Sequence, residues 1–211
     1  MSRHKVKKYS TELFLKCFLA MDRNEVKYAD DAALTGAVAQ GRKEALDFLI
    51  YMYMPIVSRT SYRILCDRQD SEVVTQEVFL HVRRKARDFD SRYALRIWIY
   101  MLTCRMCWIR LHRRSLLSVF SITPPIYETS APLPTSPAED FITKETWEIF
   151  CRASANLSSR QRIIFTLCDL EELSIEEVKT VTGLSLSRIN HNLDVARLKI
   201  RSELEVYGKV R

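Results

Sequence analysis

Apolar residues along this chain recur at helical spacing. Val74, Val78 and Val82 repeat every four residues and form an inward-facing seam, while Ile189, Leu193, Ala196 and Ile200 follow at intervals of 4, 3 and 4. Near the start, Leu13, Phe14, Cys17, Phe18 and Met21 give the run Thr11–Met21 one apolar face, which suits either docking to a partner or folding onto the first domain. From Asp30 to about Arg114 helix follows helix. Residues 115–138, SLLSVFSITPPIYETSAPLPTSPA, hold five of the six prolines among many Ser and Thr. Proline lacks the amide and clashes with the preceding turn, so this stretch reads as a linker, roughly 75 Å long if fully extended. The pattern is helical again from Glu139 to Tyr207. The expected fold is therefore all-α: an extension (1–29), a helical domain (30–114), a Pro/Ser/Thr-rich linker (115–138) and a second small helical domain (139–211).

Local end signals sharpen the second domain. Ser158 with Gln161, and Ser174 with Glu177, each fit a capping box, in which hydroxyl and side chain satisfy free helix-end amides. Gly183 ends the helix that Ser174 begins. A new helix with an apolar seam starts just after it. Helix, short turn with glycine, helix is the outline of a helix-turn-helix, shared by DNA readers and by structural hairpins.

Composition narrows the classes of function. With 47% hydrophobic and 28% charged residues the chain is globular, and four glycines in 211 residues favour helices over many short strands. No run of eighteen apolar residues occurs, and the opening MSRHKVKKYS lacks the apolar core of a secretory signal, so a cytosolic protein without membrane association is expected. Six cysteines lie inside apolar helical patterns and read as buried free thiols. Cys104 and Cys107 form a CxxC that lacks the further ligands a structural zinc needs. No Ser/His/Asp arrangement, phosphate loop or metal cluster stands out, so neither an enzyme nor a cofactor is expected.

Charge adds a partner class. From Arg83 to Arg114 there are ten Lys/Arg against two acids, a net +8 in a chain whose total is +7. A basic block on ordered helices suits a polyanion, although a solvated charged face gives the same count. Phe89, Tyr93, Trp98, Tyr100 and Trp108 are interleaved with Arg92, Arg96, Arg105 and Arg110. Stacking on aromatics and phosphate pairing with arginine are how single strands are held.

Taken together, the segments resemble a known family. DRQDSEVVTQEVFLHV (67–82) is similar to the polymerase-binding segment of ECF-type RNA polymerase sigma factors of the sigma-70 superfamily. FDSRYALRIWIYMLTCRMCWIRLHRR (89–114) resembles their promoter-melting, −10-reading segment. LSSRQRIIFTLCDLEELSIEEVKTVTGLSLSRINHNLDVARLKIRSEL (157–204) resembles their −35-reading domain. The likeness covers about residues 30–205, in the family's order and with a linker where the family has one.

The resemblance implies that the chain binds core RNA polymerase and directs transcription initiation at promoter DNA. It implies polymerase contacts at Gln76, Glu77 and Phe79, of which Phe79 could equally be core. It implies −10 contacts at Arg92, Tyr93, Arg96, Trp98 and Arg105, with Trp98 an equal candidate for core, and Asp90–Ala94 as the specificity loop. It implies −35 contacts at Arg188, Asn190, His191, Asn192 and Lys199. The chain departs from the family at Val73, where an acid is usual, and at Arg105 and Ile109, where Asn and Asp are common. Asn190 and Asn192 stand where Lys and Arg are frequent, Asp194 adds a negative charge, and residues 141–211 carry eleven Lys/Arg against ten Asp/Glu. Phosphate attraction supplies most non-specific affinity, so this domain should grip DNA weakly by itself. An anti-sigma factor or a DNA-bound recruiting partner is a further candidate partner. Two other readings compete: a helix-turn-helix regulator acting without polymerase, and an interaction protein with decayed DNA contacts.

Overall fold

The computed structural model describes residues 30–120 and 144–209, and among these it contains eight α-helices and no strand. The N-terminal extension with its amphipathic run, and the proline-rich segment from 121 onward, lie outside the described residues.

Four helices form the first group: α1 (Asp31–Ala39), α2 (Lys43–Leu65), α3 (Arg68–Lys85) and α4 (Leu95–Phe120). Asp30 and Asp67 cap α1 and α3, each carboxylate accepting from a first-turn amide (Ala33 at 3.3 Å, Asp70 at 2.8 Å). Val74, Val78 and Val82 are fully buried, as their spacing predicts, and pack in one core with Leu49, Ile64, Leu65, Leu95 and Ile99. Small hydroxyls bring α2 close to α3. Ser61 donates to the Val57 carbonyl at 2.7 Å and meets Thr75 Oγ1 at 3.3 Å, so both buried hydroxyls are satisfied. Part of the basic block is structural: Arg110 pairs with Asp70 at 2.5 Å, and Arg114 pairs with Asp70 and Asp67. Burial opposes ionisation of Asp70, but these guanidiniums outweigh it and hold the carboxyl below its ordinary range.

The expected linker starts too early. Residues 115–120 continue α4, because SLLSVF is helix-compatible and the first proline comes only at position 124.

The second group comprises α5 (Lys144–Ala155), α6 (Ser159–Phe165), α7 (Ile175–Thr182) and α8 (Leu186–Lys209). Both expected capping boxes form, at Ser158/Gln161 and Ser174/Glu177. Gly183 terminates α7 at φ 69°, a left-handed conformation that costs glycine nothing. Ile189, Leu193, Ala196 and Ile200 are all buried. Truncating a core residue such as Ile164 should cost about 2–5 kcal/mol. After α6 the backbone widens into one π-helical turn (Thr166–Leu170), in which the Glu171 amide donates to the Thr166 carbonyl at 2.9 Å. Single π turns of this kind often mark functional positions.

The two groups do not stand apart. α4 packs on α6 and α7, and α2 packs on the π turn, so the two sets of buried side chains merge into one core.

Candidate nucleic-acid interface

Three surfaces carry the residues singled out by sequence. The first is an open groove of about 860 Å³ between α2 and α3, lined by Leu46, Ile50, Met54, Thr75, Phe79 and Leu80 among others, with Gln76 and Arg83 on its walls. Gln76 and Glu77 are exposed on α3. Phe79 belongs to the core, 8% exposed, and shows the groove only an edge, so its polymerase-contact reading gives way to a packing one. Sequence reasoning missed Leu80 and Met54, which are 50% and 42% exposed at the groove. The signal for Leu80 was present: at about 100° per residue it falls on the face opposite the Val74–Val78–Val82 seam, so an apolar side chain there faces outward.

The second surface surrounds the start of α4. Arg92 and Tyr93 protrude from the loop before it, where Arg92 pairs with Asp90 at 2.5 Å and Tyr93 is 43% exposed. Leu95 is anchored below the loop, its amide donating to Asp31 of α1 at 2.7 Å. Trp98 is half-buried, edge-on to Phe89 at 5.6 Å, which favours its core reading. Arg105 is exposed, and Trp108, 43% exposed, stacks with His112 at 3.8 Å. Arg105 and Trp108 also line a small cleft with Arg160, Thr182 and Leu184 of the second group. Arg96 pairs with Glu177 of α7 at 2.5 Å. Arg92 and Tyr93 therefore face outward, while Arg96 and Arg105 lie against the second group.

The third surface is the helix-turn-helix, α7–Gly183–α8. Arg188, Asn190 and His191 are exposed at the start of α8. Asn192 is partly buried and donates to the Arg188 carbonyl at 2.7 Å. Lys199 is not grouped with them: its ammonium donates to the Asn156 carbonyl at 3.0 Å, because the helix has by then run back over α5 and α6. Arg197 is likewise committed, to Asp169 at 2.6 Å. In the first half of α8 the cation left outward is Arg188.

Between the groups lies a contact that no local pattern announced. The π turn and the left-handed Glu172 (φ 55°) carry Glu171 back toward α2. Its carboxylate, fully buried, accepts from Arg59 Nη2 at 2.7 Å, Arg63 Nη1 at 2.9 Å and the Tyr100 hydroxyl at 3.0 Å. Arg63 also donates to the Leu170 carbonyl. Burial, and then the Glu171 charge, push the Tyr100 hydroxyl well above the ordinary tyrosine range. Nearby, buried Arg162 of α6 donates to the Ile64 carbonyl of α2 at 3.3 Å. Among the described residues no group of His, Cys, Asp and Glu is placed to hold a metal, and no helix is long and apolar enough to cross a membrane.

Residues 149–200 match the family model described as Sigma-70, region 4. The ECF RNA polymerase sigma factor SigE of Mycolicibacterium smegmatis is 23% identical over 78% of this chain and 63% of its own length. The probable RNA polymerase sigma factor RfaY of Xanthomonas campestris is 26% identical over 79% of this chain and 42% of its own length. This chain thus spans less than two thirds of either relative. In fold it is similar to the sigma factor RpoE of Bartonella quintana, solved in complex with the anti-sigma factor NepR, with a TM-score of 0.60 at 16% identity. That likeness covers 74% of this chain and 94% of the other.

Proposed function

This chain belongs to the ECF group of the sigma-70 family, and on that premise we propose that it is a cytoplasmic promoter-recognition subunit: it docks on core RNA polymerase and directs initiation at promoter DNA. The observation that carries the reading is that three surfaces share one helical framework. An apolar groove edged by Glu72, Gln76, Leu80 and Arg83 suits a helical partner, because exposed apolar side chains beside a charged rim make a compact interface, and Glu77 is exposed on the same helix. The loop with Arg92 and Tyr93 suits a melted strand. The helix-turn-helix presents Arg188, Asn190 and His191 to a groove of the duplex. A regulator acting without polymerase would need only the last of these. The chain acts by binding, and the chemistry of initiation belongs to the polymerase.

Two domains with these roles must come apart to work. Elements named −10 and −35 lie about 25 base pairs apart, roughly 85 Å of B-form DNA. In the structure α4 touches α7. A helix pair in contact cannot serve both elements, so the closed arrangement is the resting form. An anti-sigma factor would act by holding the closed form. The outward face of α8 is poor in cations, with Arg197 and Lys199 engaged internally. This supports dependence on a DNA-bound recruiting partner, which raises effective concentration without new base contacts.

The test is a titration of core RNA polymerase with the full chain and with a Gln76→Ala/Glu77→Ala/Leu80→Ala variant. Saturable binding that weakens at least tenfold in the variant supports the reading. A wild-type chain that does not bind would overturn it.

A further inference from the structure

Cys66 and Cys151 are distant in sequence yet share one small buried cluster with Tyr62 and Trp147, the two residues only 7% and 6% exposed. Cys66 caps α2 with φ 50°, a left-handed conformation that usually takes Gly or Asn because a Cβ is strained there. One turn before Cys151, Trp147 stacks on Tyr62 at 5.0 Å and donates to its hydroxyl at 2.9 Å. This pins α5 onto the end of α2 and places Cys66 and Cys151 in one buried cluster across the boundary between the groups.

The surroundings are polar on one side. Arg162 is buried there with its two Nη groups on the Ile64 and Ser154 carbonyls, while its Nε has no hydrogen-bond partner among the described residues. An unpartnered buried donor is costly beside a neutral thiol, and it suits a sulfur that carries charge or oxygen. Hydrogen bonding to Cys151, helped by Arg162, Ser154 and Arg114, outweighs burial and holds the Cys66 thiol below its ordinary range. Cys151 is shifted the opposite way by Cys66 and by burial. Cys104 and Cys107 differ: burial, aided by the Glu171 charge at Cys104 and by Cys104 at Cys107, pushes both well up, which leaves that CxxC inert.

We propose that Cys66 and Cys151 form a redox pair that closes as a reversible disulfide and locks the C-terminal helices onto the N-terminal ones. The oxidant is a hydroperoxide. The Cys66 thiolate attacks its O–O bond, giving a Cys66 sulfenic acid and releasing hydroxide (or alkoxide). The Cys151 sulfur then displaces the sulfenic oxygen, which leaves as water with the Cys151 proton, and a dithiol reverses the bond by exchange. The polarity fits this order, with Cys66 the attacking and Cys151 the resolving thiol. If opening is needed to reach both promoter elements, a bridge from α2 to α5 prevents it; this consequence rests on the function proposed above.

The test uses the full chain, reduced, then treated with hydrogen peroxide in small excess, alkylated and mapped without reductant. A Cys66–Cys151 peptide pair that dithiothreitol reverses is expected, with Cys104 and Cys107 alkylatable after unfolding. In Cys151→Ser a sulfenic acid on Cys66 should be trapped by dimedone. The oxidised wild type, added to core polymerase, should direct at least tenfold less promoter-dependent transcription and recover on reduction, whereas Cys151→Ser should be insensitive. Oxidation of Cys168 without the 66–151 linkage overturns the proposal, as does a linked protein that directs transcription unchanged. The peptide map needs neither a folded variant nor polymerase, so a reduced chain that fails to bind polymerase counts against the function above and leaves the thiol chemistry decided by the map.

Discussion

Replacing Glu171 by Ala should open the molecule. The carboxylate is fully buried and bridges α2 and α4 through Arg59, Arg63 and Tyr100, while the two arginine side chains keep 28% and 14% exposure. Removing one partner of a buried ion pair costs about 3–5 kcal/mol, because the charge left behind is uncompensated. Arg59 still reaches water, which puts this case at the low end, about 3 kcal/mol. In an open form all these groups are hydrated, so the whole loss falls on the closed one. At about 1.4 kcal/mol per factor of ten, the closed-to-open ratio should drop about a hundredfold. Small-angle scattering should show a larger radius of gyration for Glu171→Ala, with Glu171→Gln intermediate, since an amide oxygen can still accept from Arg63. Circular dichroism should show nearly unchanged helix content. A variant as compact as the wild type, with the same melting midpoint, would refute the reasoning.

Three further outcomes follow from the same geometry. Leu80→Asp alone, at the edge of the α2–α3 groove, should weaken core polymerase binding by at least tenfold in a titration while leaving the melting midpoint within a few degrees, because the side chain is half exposed. Arg92→Ala with Tyr93→Ala should leave polymerase binding intact but reduce open-complex formation, measured by permanganate footprinting, and a pre-melted bubble should partly restore it. Asp70→Asn should lower stability by about 1.5–3 kcal/mol at pH 7, since charged hydrogen bonds to Arg110 and Arg114 are lost. The Asp70 carboxyl is held below its ordinary range, so its stabilisation is full above about pH 4 and fades as pH falls through the depressed folded value. Urea unfolding at pH 7 and pH 3 should therefore show the gap between wild type and variant shrinking in acid.

What sequence made legible was local. The valine seam of α3, the two capping boxes and the Gly183 stop each involve residues within four positions of one another, and helical geometry links such spacing directly to a face or an end. The place of Phe79, which sequence leaves open between core and contact, and that of Lys199 are not legible for the converse reason. The burial of Phe79 depends on how α2 crosses α3, and the engagement of Lys199 depends on where α8 runs back over α5 and α6, neither of which is encoded in periodicity. Arg110 and Arg114 counted toward a basic block until Asp67 and Asp70, some forty residues earlier, were seen to neutralise them. The Glu171 contact joins positions more than a hundred residues apart and looks, in sequence, like any solvated acid. α4 runs past its expected end because SLLSVF is helix-compatible and the prolines begin only at position 124.

The most direct test of the central claim is transcription from a random promoter library by core RNA polymerase reconstituted with this chain, with the 5′ ends of the transcripts sequenced. The account predicts start sites that require the chain, share a −10 element and shift in preference with Arg92→Ala/Tyr93→Ala. The −35 signal should be weak until a DNA-bound partner is supplied. Core polymerase that yields the same transcripts with and without the chain would contradict it.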